Sequence, residues 1–221
     1  MSGAGGGLGQ QVRILLKVLD GAVFLLAGAA VALVVFTANR GFDFLDSGFY
    51  LVNLTAGGRE HQLTSAFFYL APFFMMLSGD VAAFRLFGLV LLLGSGALFA
   101  AALLKLHRSI FLEETAAGLT RAVVAAFVLS GVMLYYFWFI RDPSYNLLVS
   151  VLTNATAACV AFILAGAGRR TILAAATLAG LLIGIGLFVK VTSGVAFLML
   201  TTGAMLGPRI TRSKRHPEAL V

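Results

Sequence analysis

Long apolar runs broken by short polar intervals set the pattern of this chain. A spanning helix needs roughly 20 consecutive apolar residues to match the hydrocarbon thickness of a bilayer. Val18–Ala38 is the first run of that kind, followed by Val81–Leu104, Leu119–Ile140, Leu147–Ala167 and Thr171–Val189. Val191–Leu206 comes next, parted from its predecessor only by Lys190 and the turn signal Thr192-Ser193-Gly194. The pattern predicts an all-α fold, a polytopic transmembrane helix bundle of about six spanning helices. Ser65–Leu77 is apolar but short and contains Pro72. That length suits an interfacial or re-entrant helix, so one or two interfacial helices are expected in the first outer loop. Three regions follow: a flexible, glycine-rich cytoplasmic N-terminus (1–17), a transmembrane domain (18–206) and a basic cytoplasmic tail (207–221).

Composition agrees with this layout. Of the 221 residues, 60% are hydrophobic and only 11% charged, which excludes a water-soluble globular domain. The net charge of +7 is scattered singly and in short clusters between apolar runs, so it points to membrane placement and to no nucleic-acid partner. The one cysteine, Cys159, lies inside an apolar run; it has no mate for an intrachain disulfide and no ligand-spaced neighbour for structural zinc. The first run is too long for a signal peptide and lacks a small-residue cleavage site, so it reads as a retained helix.

The basic residues also orient the chain. A cytoplasmic N-terminus puts eleven of them (Arg13, Lys17, Lys105, Arg108, Arg121, Arg169, Arg170, Arg209, Arg212, Lys214 and Arg215) inside. Five (Arg40, Arg59, Arg85, Arg141 and Lys190) then face outward. The positive-inside rule favours this arrangement, with both termini cytoplasmic. Asp43, Asp46, Glu60, His61, Asp80, Arg141, Asp142 and Lys190 consequently share the outer face, where a bundle can gather them.

Asp43 and Asp46 are the leading candidates. In a helix, their spacing of three sets both carboxylates on one face. Such a pair could hold a divalent cation, or let one carboxylate act as base while the other tunes its pKa. Solvating the loop or capping a short helix is the competing role. Phe42, Phe44, Phe49 and Tyr50 around them read as an interfacial aromatic belt. Lys190 interrupts an apolar stretch beside hydroxyls and a flexible backbone, a combination suited to phosphate at the membrane surface. Snorkelling outward is its structural alternative. Arg141-Asp142-Pro143-Ser144-Tyr145-Asn146 reads as a turn, since proline disfavours helix at the residue before it. His61, between Glu60 and Gln62, could be a base or a ligand. Asp20 is expected in a local ion pair with Lys17, and Asn53-Leu54-Thr55 forms a glycosylation sequon.

Taken in order, Asp46-Ser47-Gly48-Phe49-Tyr50, His61-Gln62 ahead of Phe67-Phe68-Tyr69-Leu70, Arg85-Leu86, Arg141 to Asn146, and Phe188 to Gly194 resemble the polytopic C-type-fold glycosyltransferases. That family includes protein O-mannosyltransferases and bacterial lipid A aminoarabinose transferases, and the resemblance spans Val18 to Leu206. It implies transfer of a sugar from a polyprenyl-phosphate-linked donor on the extracytoplasmic side of the bacterial plasma (inner) membrane. Asp46 becomes the catalytic base, with Asp43 and Asp142 as further catalytic candidates. Lys190, His61, Arg141, Tyr50 and Ser193 become substrate-binding candidates, and Lys190 faces the lipid phosphate. Ser47 stands where family members often carry Glu, which removes a carboxylate from any metal site. Members usually continue with further helices, so the chain is expected to be an N-terminal portion, with a separately encoded C-terminal half as a candidate partner beside membrane lipids. A small transporter or flippase component and a non-catalytic assembly subunit are the competing classes. No internal repeat supports the former.

Overall fold

The computed structural model describes residues 5–40, 46–56, 64–110, 131, 142–166 and 168–215. Seven helices fill them: α1 (Gly5–Thr37), α2 (Asp46–Thr55), α3 (Ala66–Met76), α4 (Val81–Ile110), α5 (Tyr145–Leu164), α6 (Arg169–Val189) and α7 (Val191–Arg215). The protein is an all-α, multi-span membrane bundle. Four helical stretches are long and apolar enough to cross a bilayer, namely Lys17–Thr37, Val81–Ile110, Tyr145–Leu164 and Arg169–Val189. The apolar part of α7, Val191–Leu206, is shorter than these. The expected span Leu119–Ile140 lies outside the described residues. α1 begins at Gly5, well ahead of Val18, and α7 runs on to Arg215 through residues read as a tail.

Helix directions follow from cross-helix contacts. Arg85, Ser95 and Ala102 of α4 meet Asp142, Asn154 and Ala158 in that order, so α4 and α5 run parallel. Ile110 and Asp142 therefore stand at opposite ends of the bundle. α6 runs antiparallel to α5, because Cys159 packs with Ala175 and Ala179 while Leu152 packs with Ile183 and Val189. Small residues allow the α4–α5 seam to close: Ala102, Ala158 and Ala161 form one buried cluster. Where lipid tails are as apolar as the helices, close packing and interhelical hydrogen bonds hold the helices together. Asn154 Nδ2 donating to Ser95 Oγ at 3.3 Å is one such bond. Leu25, Leu181 and Leu200 stay largely exposed and face the lipid.

α3 is the expected short apolar helix. Ala66, Phe67, Leu70, Ala71 and Phe74 form its buried face, while Phe68, Phe73, Met75 and Met76 are exposed. A helix apolar on both sides belongs between protein and lipid. Its start is pinned to the end of α6, where the last carbonyls lack intrahelical donors. Ser65 N donates to Phe188 O at 3.3 Å, and the Thr64 hydroxyl donates to Val189 O while accepting from Ala66 N. At its other end the chain reverses through Ser78 and Gly79, both left-handed with φ of 59° and 72°. Asp80 then caps α4, its Oδ1 accepting from the N–H groups of Ala82 and Ala83 at 2.8 and 3.1 Å.

α6 and α7 form a hairpin with a single non-helical residue, Lys190, at its apex. So tight a reversal requires glycine. A Cβ on Gly194 would lie 2.5 Å from Leu187 N and 2.6 Å from its Cα, and neither backbone atom can step aside. Gly194→Ala should therefore lower stability by about 1–3 kcal/mol, the usual range for overpacking. Gly203→Ala, where a Cβ meets nothing within 4 Å, should leave it unchanged or slightly higher. Thermal midpoints in detergent compare the two.

Candidate functional site

One end of the bundle collects the chemistry. α1 and α6 finish there, α4, α5 and α7 begin there, and α2 and α3 pack there against the starts of α4 and α5. Its centre is a buried ion pair. Arg85 is 4% exposed and Asp142 fully buried, with Nε donating to Oδ1 at 2.6 Å and Nη2 to Oδ2 at 3.4 Å. Nη1 donates to the carbonyls of Ala38 and Arg40 at 3.0 and 3.2 Å. One guanidinium thus joins the end of α1, the second turn of α4 and the residues that lead into α5. Pro143 and Ser144 beside it are buried as well, and Ser144 is extended before Tyr145 opens α5. Of the expected Arg-Asp-Pro turn, Arg141 lies outside the described residues; Asp142 sits at a bend, Pro143 and Ser144 are non-helical, and the Asp142 carboxylate is engaged on both oxygens. A carboxylate held in this way ties the residues that lead into α5 to α4.

Next to the pair lies an aromatic ladder. Tyr50 of α2 is buried, stacked at a tilt on Phe67 (5.4 Å between centroids) and edge-on to Tyr145 at 6.4 Å. The ammonium of Lys190 lies 5.3 Å from the centre of the Tyr145 ring, a cation–π distance. Lys190 itself is exposed and extended (φ −158°, ψ 105°), its N–H donating to Gly186 O at 2.8 Å. Its aliphatic stem therefore leaves the hairpin apex beside Tyr145. Ser193 is half-buried in the first turn of α7, where helix geometry leaves N–H groups without intrahelical acceptors. A cation, unpaired helix N–H groups and a hydroxyl make a setting for an anion.

Asp46 is the first residue of α2, one turn ahead of Tyr50 and at the same register position of the helix. Tyr50, Tyr145 and Lys190 thus link the helix that begins at Asp46 to the hairpin apex. Asp43, His61 and Arg141 lie outside the described residues. Among the described residues, no group of three His, Cys, Asp or Glu side chains forms a metal-ligating cluster.

Some roles read from the sequence change. Among the described residues, Asp20 is not ion-paired to Lys17: its Oδ1 is buried and has no hydrogen-bond partner. Asn53 of the sequon is 3% exposed and donates from Nδ2 to Phe49 O at 2.8 Å, which closes it to glycosylation. The Arg85–Asp142 pair escaped sequence reasoning because its members are 57 positions apart. The available signal was an arginine four residues into an apolar run, since a charge at membrane depth demands a named partner. A groove of about 340 Å³ between α4, α5 and α7 is lined by residues such as Leu103, Leu106, Val160 and Leu164. It lies toward the opposite end and is almost wholly apolar, so it offers no acid–base chemistry.

Lys105, Arg108, Arg169 and Arg170 lie at that opposite end. In a Cys159→Ala background, Lys190→Cys and Arg108→Cys should label from opposite faces of sealed vesicles with an impermeant maleimide. Labelling of both from one face would refute this arrangement of the bundle.

Compared with protein-family models, with curated proteins and with solved structures, the chain matches none.

Proposed function

We propose that the protein is an integral membrane glycosyltransferase, or a portion of one, that moves a sugar from a polyprenyl-phosphate-linked donor to an acceptor hydroxyl. The reaction takes place on the extracytoplasmic side of a bacterial plasma membrane, with both termini cytoplasmic. The observation that carries this reading is the ladder from α2 through Tyr50 and Tyr145 to the exposed Lys190 at a helix break. It puts α2, which begins at Asp46, and the Lys190 apex at the same end of a membrane bundle.

Chemically, the acceptor oxygen attacks the anomeric carbon and the bond from that carbon to the phosphate oxygen breaks. The phosphate leaves with the bonding pair, and Asp46 takes the acceptor's proton. Lys190, with Ser193 and the first turn of α7, stabilises the departing phosphate. Tyr50 and Tyr145 hold the two halves at a set separation. Asp43, His61 and Arg141 remain the further candidates of this reading, and Asp43 with Asp46 would hold a divalent cation if one is used. The polyprenyl tail and membrane lipids flank the bundle.

Asp46→Asn should cut sugar transfer by about 10²–10⁴-fold, the usual worth of a positioned base, with membrane expression unchanged. Lys190→Ala should lower kcat/KM for the donor by roughly 10–100-fold, as expected for losing a charged hydrogen bond of about 1.5–3 kcal/mol. Transfer from a radiolabelled polyprenyl-phosphate sugar reads both. Solute flux in proteoliposomes without any donor lipid, with no transfer, would replace this reading with a carrier.

A further inference from the structure

We propose that Arg85 is the positioning residue of this site, setting the end of α1 against the segment that opens into Tyr145, on whose ring Lys190 rests. The inference deepens the transferase reading and rests on it for its effect on turnover, but its geometry stands apart from any substrate.

The guanidinium faces two ways. Its Nε–Nη2 edge holds Asp142, three residues ahead of Tyr145, whose ring lies beneath the Lys190 ammonium. Its Nη1 holds the carbonyls of Ala38 and Arg40, the last described residues before the segment that carries Asp43 and leads to Asp46. The end of α1 and the residues that lead into α5 therefore meet on one planar group. Burial makes the arrangement exacting. Water does not reach the pair, so each donor must find its acceptor in the protein, and the fork directions fix where those acceptors sit. Lysine at this position would neutralise Asp142 but could not reach a carboxylate and two backbone carbonyls in one plane. Arginine is thus required for geometry beyond charge. Asp142 is the second half of the device, and its role is also positional.

The test uses Arg40→Cys with Asn146→Cys in the Cys159→Ala chain. Both positions flank the pair, neither is a proposed site residue, and the Arg40 carbonyl survives the substitution. In native membranes, bismaleimides of graded length should bridge the two cysteines with the shortest spacers. Adding Arg85→Lys should abolish the short-spacer product while longer spacers still react. An unchanged short-spacer yield in Arg85→Lys would overturn the proposal. If Arg85→Lys fails to insert, Asp142→Asn, which keeps the volume and one acceptor, carries the same comparison with the same two outcomes. In the transfer assay, Arg85→Lys should lower kcat by about 10²-fold with KM for the donor little changed, the signature of a displaced catalytic geometry. A raised KM at unchanged kcat would instead make Arg85 a donor-binding residue and overturn it. The cross-link needs no donor lipid, so even a chain that transfers no sugar reports whether Arg85 holds the end of α1 against the start of α5.

Discussion

A buried arginine and a buried aspartate at a membrane boundary set the terms for one end of this protein. Removing two charges from water is unfavourable by several kcal/mol per ion, and only good geometry with further hydrogen bonds offsets it. Here the carboxylate receives two donors and the guanidinium reaches two backbone carbonyls besides. The carbonyls of Ala38 and Arg40 lie just past the end of α1, where no helical donor remains for them. One side chain thereby satisfies a helix end, an acidic turn and its own charge. The bundle can finish α1 and start α4 and α5 at the same level without stranding a polar group in lipid.

The same logic recurs across that end with neutral groups. Thr64 and Ser65 satisfy the last carbonyls of α6, and Asp80 caps the first turn of α4. The Ser78–Gly79 reversal and the Gly194 contact let α3 and α7 turn back within one or two residues. Rigid connections of this kind hold Tyr50, Tyr145 and Lys190 at defined separations. A reacting centre benefits from such order, because side chains locked by packing and hydrogen bonds need no rearrangement as charge develops. Lys190 keeps its exposure at the apex, so a charged ligand can reach it.

Much of the helical frame was legible in the sequence. The runs Val81–Leu104, Leu147–Ala167 and Thr171–Val189 anticipate α4, α5 and α6, because span length and apolarity are local properties set by bilayer thickness. The short helix α3 and the break at Lys190 were readable for the same reason. What joins the helices was not. Arg85 reaches Asp142 across 57 positions and Thr64 reaches Val189 across 125, and no local periodicity encodes such pairings. Asp142 therefore read as a candidate acid or base where the structure gives it an ion-paired, fully buried place. Lys190 read correctly as a cation at a helix break, but its seat over Tyr145 required the fold.

A double-mutant cycle on Arg85 and Asp142 probes the pair that organises this end most directly, read as resistance to thermal unfolding in detergent. Arg85→Met or Asp142→Leu alone should lower stability by about 3–5 kcal/mol, because each strands its partner's charge in a dry site. The double variant should lose clearly less than the two losses added together. Single variants that unfold like the parent, or losses that simply add, would contradict a buried, mutually dependent pair.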